Sequence, residues 1–255
     1  SRLNRITSWE NNPSYDIPSE VIYLKNQETK KAWSLGLNPM PDDQNYNIVY
    51  GFGYSKYLHK SDGIEQELTT FVPKDHSCKI GILNLKNTTP NRKKLKLYYY
   101  MKPVIGEDEL KSNGFIATDF DKNNNIIIAK NLLEETKSYV SCSENIISYT
   151  GDKNFFLGGG GLSNPKGLQK VALNNQNSLG RKPCIAYEVE IELESFANKE
   201  ISIVLGAEEN TIDCKNIAYK YSKLANCKQE LEKIKNYWQE ILGRVQVYTP
   251  LESTN

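Results

Sequence analysis

Residues Tyr187–Glu194 read Y-E-V-E-I-E-L-E, and this stretch decides the fold class. Tyr187, Val189, Ile191 and Leu193 point one way while Glu188, Glu190, Glu192 and Glu194 point the other, the period-2 pattern of a strand with one buried face and one acidic, solvated face. The same alternation sets Leu95, Leu97 and Tyr99 against Lys94, Lys96 and Tyr98, and Ile201, Ile203 and Leu205 against Ser202 and Val204. Between such runs lie clusters of turn formers at Asn38 to Asp43, Thr88 to Asn91, Asp121 to Asn125 and Asn174 to Ser178. Many strands separated by turns, with no helices between them, predict a mainly β fold, a large antiparallel β-sandwich.

The period changes near Asn216. Ile217, Tyr221, Leu224, Leu231, Ile234, Trp238 and Ile241 recur at three- and four-residue steps or their multiples, which predicts an amphipathic helix or a pair of them. Gly243 stands where a C-cap glycine would. No internal repeat occurs at a fixed period.

Composition narrows the function. The 255 residues carry 32 Lys and Arg against 31 Asp and Glu, a net charge of +1, so there is no field to hold nucleic acid or an anionic membrane surface. No apolar run approaches the roughly 20 residues that span a bilayer, and the opening Ser-Arg-Leu-Asn lacks the apolar core of a signal peptide. The chain is therefore expected to be soluble and cytoplasmic. Five cysteines, at 78, 142, 184, 214 and 227, include no C-x-x-C pair, so buried free thiols are expected rather than disulfides or zinc.

Catalytic constellations are sparse. His59 and His76 stand apart from each other and from any Cys, which leaves little for a metal site or a nucleophile–base pair, so no metal and no cofactor are expected. Gly51 to Lys56 lacks the third glycine of a dinucleotide fingerprint, and Gly158 to Gly161 run into L-S-N-P, so both read as strand-edge or loop glycines. Asn87-Thr88-Thr89 matches a glycosylation acceptor that a cytoplasmic chain would not use. Asp42-Asp43, Glu107-Asp108-Glu109 and Asp119 with Asp121 read as turn residues and solvated strand ends. Sixteen tyrosines and three tryptophans offer faces on which pyranose rings stack, although strand packing accounts for any single one.

Five segments carry a resemblance. They are S-R-L-N-R-I-T-S-W at Ser1 to Trp9, Y-G-F-G-Y-S-K-Y-L-H-K-S-D-G-I-E-Q-E-L-T-T-F-V-P-K-D at Tyr50 to Asp75, L-K-N-T-T-P-N-R-K-K-L at Leu85 to Leu95, G-D-K-N-F-F-L-G at Gly151 to Gly158, and Y-W-Q-E-I-L-G-R-V-Q-V-Y-T-P-L-E-S at Tyr237 to Ser253. Over nearly its whole length the chain resembles the N-terminal sandwich domain and linker of glycoside hydrolase family 94, which holds cellobiose, cellodextrin, chitobiose and β-1,2-oligoglucan phosphorylases and the phosphorylase-like part of cyclic β-1,2-glucan synthases.

The resemblance implies a β-sandwich domain over residues 1–212 and a helical linker over 213–255, leading toward an (α/α)6 catalytic barrel that would begin after Thr249-Pro250. It implies a non-catalytic part of an inverting glycoside phosphorylase, whose co-substrate is inorganic phosphate and whose acid, an aspartate, lies on the barrel. Inversion by hydrolysis would need two carboxyl groups about 6.5–9.5 Å apart, whereas phosphorolysis needs one acid. The implied partners are a β-linked glucose oligosaccharide, the barrel and a second subunit. A family loop near Gly151 to Leu168 approaches the partner subunit's active-site mouth and often bears an arginine after F-L-G; here Gly159 to Gly161 stand instead, which implies a more open acceptor site. The bland reading is a mobile surface loop. Candidate carbohydrate-binding or cleft-shaping residues are Phe156, Gly158, Gly159, Gly160, Gly161, Asn164, Trp9, Trp33 and Tyr54. A stand-alone carbohydrate-binding module is the alternative, and a complete small glycosidase a third reading.

Overall fold

A computed structural model describes residues 5–8, 14, 17–107, 109–180, 182–244 and 250. Trp9, one of the candidate aromatics, lies outside them. The described strands are β1 (Arg5–Thr7), β2 (Glu20–Asn26), β3 (Ala32–Ser34), β4 (Tyr46–Gly51), β5 (Tyr54–Ser61), β6 (Ile64–Phe71), β7 (Cys78–Asn87) and β8 (Lys93–Met101). They continue with β9 (Pro103–Gly106), β10 (Ile116–Asp121), β11 (Ile126–Asn131), β12 (Lys137–Cys142), β13 (Ser148–Asp152), β14 (Pro183–Leu193) and β15 (Asn198–Glu208). Helices are α1 (Glu109–Ser112), α2 (Lys153–Leu157), α3 (Thr211–Tyr221) and α4 (Leu224–Leu242). The two short helices α1 and α2 interrupt a strand order expected to hold none.

Two antiparallel sheets make the sandwich. One has eight strands in the order β10-β11-β12-β15-β7-β6-β5-β4, the other five in the order β13-β14-β8-β2-β3, and β1 pairs with β9 apart from both. The alternation read from sequence sets the faces. Leu95, Leu97, Tyr99, Tyr187, Val189 and Ile191 look inward from the five-stranded sheet onto Leu83, Leu85, Val140, Ile201 and Ile203 of the other. Tyr99 and Tyr187 stack with centroids 5.1 Å apart.

Both outer faces are also partly covered. On the eight-stranded sheet, Phe71, Ile80, Ile82, Ile128 and Tyr139 pack beneath Ile217 and Tyr221 of α3 and Leu231 and Ile234 of α4. Asn210 caps α3 by accepting from the Asp213 amide at 2.8 Å, and the Gly243 amide closes α4 on the Gln239 carbonyl at 2.8 Å. The apolar helical stripe thus splits. Leu231 and Ile234 are 9% and 5% exposed against the chain's own sheet, while Trp238 and Ile241 are 37% and 39% exposed. The first half is covered within the chain because the outer sheet face beneath it is itself apolar.

All five cysteines are free and buried, and burial pushes the Cys78 and Cys142 thiols up to about 12. Among the described residues no helix is long and apolar enough to cross a membrane.

Candidate functional site: the glycine-rich segment and its cleft

The segment after β13 lies on the outer face of the five-stranded sheet. Asp152 starts α2 by accepting from the amides of Asn154 at 2.8 Å and Phe155 at 3.3 Å. Gly158 ends the helix at φ +57, a left-handed value that suits glycine, and its amide reaches the Asn154 carbonyl. A 3-10 turn at Gly158–Gly160 and another at Lys166–Gln169 follow. The Asn164 amide bonds the Gly160 carbonyl at 3.2 Å, and the Asn164 side chain accepts from Gln169 at 3.1 Å.

The sheet supplies the floor and the fastenings. Phe156 is fully buried, stacked on Tyr100 at 5.4 Å, and Leu157, Leu168 and Leu173 join it over Val21, Tyr23 and Tyr98. The Tyr23 hydroxyl donates to the Leu162 carbonyl and Lys96 Nζ to the Val171 carbonyl, each at 2.8 Å, while Lys25 Nζ reaches the Leu168 carbonyl. Ser148 Oγ accepts from the Leu173 amide at 3.0 Å and donates to Glu188 at 2.8 Å. Unpaired carbonyls above an apolar sheet would be costly, so side-chain donors at the sheet surface determine where the segment sits.

This arrangement corrects two expectations. Glu188 has no exposed side-chain surface, so the outward face of β14 is not an all-solvated acidic face. Gly151 to Leu168 is a helix and two 3-10 turns anchored at both ends, with Gly158 to Gly160, Ser163 and Asn164 among its exposed residues, rather than a loop without regular structure.

Beside the glycine tip opens a cleft of about 740 Å³, bordered by Asn38, Tyr100, Lys102, Lys153, Leu162 and Ser163. Burial, helped by the positive charges of Lys102 and Lys182, pulls the Lys153 pKa below the usual lysine value. Burial likewise raises the Tyr100 phenol, which keeps it neutral. Six candidate residues, Phe156, Gly158, Gly159, Gly160, Gly161 and Asn164, share this segment, with Gly161 on the cleft wall and Phe156 beneath the surface. Trp33 and Tyr54 belong elsewhere. Trp33 is buried between the sheets, its indole N–H donating to Gln66 Oε1 at 2.8 Å. Tyr54 starts β5 on the far side of the molecule, with Lys235 5.5 Å above its ring. Sequence reasoning missed Lys102, Tyr100 and Lys153 as cleft residues; the signal for the last was its place in the G-D-K-N-F-F-L-G motif. Among the described residues no group of three His, Cys, Asp or Glu is placed to hold a metal.

A second groove of about 600 Å³ lies at the end of α4, where Gly53, Tyr54, Phe71, Ile234, Tyr237 and Trp238 meet. Around it Tyr50, Phe52 and Val72 are exposed.

Residues 1–224 match the family described as "Glycosyl hydrolase 94, supersandwich domain", a match that runs through α3 and past residue 212. Over 97% of its length the chain is 24% identical to N,N'-diacetylchitobiose phosphorylase of Vibrio furnissii, covering 32% of that protein. It is 23% identical over its full length to cyclic beta-(1,2)-glucan synthase NdvB of Rhizobium meliloti, covering 9% of it. Cellobionic acid phosphorylase of Neurospora crassa is 24% identical over 91% of the chain, which covers 31% of that relative. The chain therefore spans about a third or less of these relatives. Among solved structures, a bacterial glucoamylase complexed with acarbose superposes with a TM-score of 0.62 at 11% identity, over 89% of this chain and 32% of that one. A putative kojibiose phosphorylase from human microbiome gives 0.50 at 12% identity, over 93% and 31%. At these identities the structural likeness speaks to fold alone.

Proposed function

Because the chain belongs to glycoside hydrolase family 94, as its supersandwich domain, we propose that it is the non-catalytic sandwich of a β-glucan phosphorylase or cyclic β-1,2-glucan synthase-like enzyme. In this reading the sandwich supports the catalytic barrel, takes part in a homodimer and shapes the entrance to the carbohydrate cleft. The intact enzyme, in the cytoplasm, transfers glucosyl units between a β-glucoside and inorganic phosphate with inversion.

The observation that carries the docking role is the apolar surface at the end of α4. Trp238, Ile241 and Leu242 are 37–42% exposed, and Tyr50 and Phe52 of the adjacent β4–β5 hairpin are 76% and 67% exposed. The hairpin tip touches the helix, since a Cβ on Gly53 would meet Trp238 and Ile234 at 2.5 Å. Exposed apolar side chains gathered where a hairpin tip meets a helix end favour an interface there. The catalytic barrel is its proposed occupant.

The test is phosphorolysis of sophorose, cellobiose and their oligomers. The complete protein is expected to release glucose 1-phosphate and the 255-residue chain none; release by the chain alone overturns the non-catalytic reading. The roomy cleft beside the glycine tip favours a second reading, a stand-alone carbohydrate-binding module. Titration of the isolated chain with neutral gluco-oligosaccharides separates the two, because a module binds these chains tightly without the barrel.

A further inference from the structure

Two lysines reach the 740 Å³ cleft from different elements: Lys102 follows β8 and Lys153 opens α2. They are not equivalent. Lys102 is ion-paired with Glu109, whereas Lys153 has no carboxylate partner among the described residues although it is only partly exposed. The charges around it are Lys102 and Lys182, which repel its proton, with Glu109, already paired with Lys102, acting the other way. An ammonium held half out of water beside other cations, without a counter-ion, is stabilised by whatever anion enters next to it. The remaining wall is of another kind. Ile17, Pro18, Pro39 and Leu162 present apolar surface, and the exposed Asn38 and Ser163 offer an amide and a hydroxyl.

We propose that this cleft binds an anionic sugar, a pyranose carrying a carboxylate or a phosphate, with the anion at Lys153 and the C–H face of the ring against the apolar wall. A neutral sugar satisfies the apolar wall but leaves Lys153 uncompensated, and a bare anion leaves that wall wet, so a sugar carrying an anion binds more tightly than either. The sugar half of the inference rests on the saccharide-facing role proposed for this cleft; the anion half rests on the lysines alone.

The test is calorimetric titration of the 255-residue chain with D-glucuronate, glucose 1-phosphate, inorganic phosphate and D-glucose, at low and at physiological salt. One or both anionic sugars should bind about tenfold or more tighter than glucose and than inorganic phosphate, weaken as salt rises, and lose about tenfold in affinity in Lys153→Gln, the effect of one charge-assisted hydrogen bond. Lys153→Arg should retain binding. The ratio of glucuronate to glucose 1-phosphate affinity distinguishes carboxylate from phosphate. Folding of the Gln variant is checked by its melting curve, and in the unmodified chain the NMR-observed titration of the Lys153 ammonium should move up when the sugar anion binds. Glucose binding as tightly as the anions, Lys153→Gln binding them unchanged, or no binding at all would overturn the proposal. Neutral oligosaccharide binding without anion binding removes this inference and leaves the saccharide-facing role standing; inorganic phosphate binding as tightly as the anionic sugars removes the sugar half.

Discussion

Lys96 and Glu188 lie diagonally across the β8–β14 ladder and form an ion pair roofed by the glycine-rich segment, with the Glu188 side chain fully buried and that of Lys96 11% exposed. The same lysine also donates to the Val171 carbonyl, so it joins the sheet to the segment above it. Removing one partner of a buried pair leaves an uncompensated charge. Lys96→Met is expected to cost about 3–5 kcal/mol, and Lys96→Met with Glu188→Leu distinctly less. Denaturant unfolding of both variants checks this; a double variant no more stable than the single one would contradict it.

The close approach of Gly167 to Phe156 gives a sharper packing test. A Cβ on Gly167 would lie 2.7 Å from the Phe156 ring, whereas one on Gly159 would meet nothing within 4 Å. Gly167→Ala should destabilise by about 1–3 kcal/mol, as overpacking does, and Gly159→Ala by less than about 0.5 kcal/mol. Thermal melts compared side by side should separate the two variants.

Much of this architecture is legible in the chain and some is not, for a physical reason. Alternation at Tyr187–Leu193, Leu95–Tyr99 and Ile201–Leu205 correctly identifies strands and their inward faces, since the pleat projects side chains with period 2 whatever the neighbours are. It cannot say what lies on the outward face. Glu188 and Glu190 have the same sequence context, yet only Glu188 sits under the segment from α2 to Leu173. Likewise Leu231 and Trp238 share one helical stripe, and only the extent of the sheet below determines which is covered. The cleft was harder still, because Lys102 and Lys153 are 51 positions apart and nothing periodic links them.

The split stripe yields its own prediction. Leu231→Ala should cost about 2–5 kcal/mol through a cavity in the cluster over the eight-stranded sheet. Ile241→Lys should cost far less in the isolated chain, about 1 kcal/mol or less, because more than a third of its surface is already in water and a lysine can reach solvent there. In the complete protein the same Ile241→Lys should lower the melting temperature. An unchanged melt there would remove α4 from the proposed interface.

Part of the acid sensitivity should trace to Asp42. Burial works to raise its pKa, but hydrogen bonds from Ser61, the Gln44 amide and Lys31, with His59 nearby, outweigh it and hold the carboxyl down at about 2. The folded value lies below the unfolded one, about 3.9, so the contribution is complete above pH 4 and is lost as pH falls toward 2. Asp42→Asn should therefore flatten the dependence of stability on pH in that window. Urea midpoints measured across the window supply the check.

Whether this sandwich shapes the saccharide entrance of a family 94 enzyme is decided by steady-state phosphorolysis in the complete protein with Ser163→Trp. Ser163 is exposed on the cleft wall, so the indole fills the cleft without disturbing the Phe156 core. The predicted result is a several-fold rise in KM for the β-glucan, with kcat within about twofold and an unchanged melting temperature, the signature of lost ground-state binding. Kinetic constants identical to those of the unmodified enzyme, or a complete protein that releases no glucose 1-phosphate from any β-glucan, would contradict it.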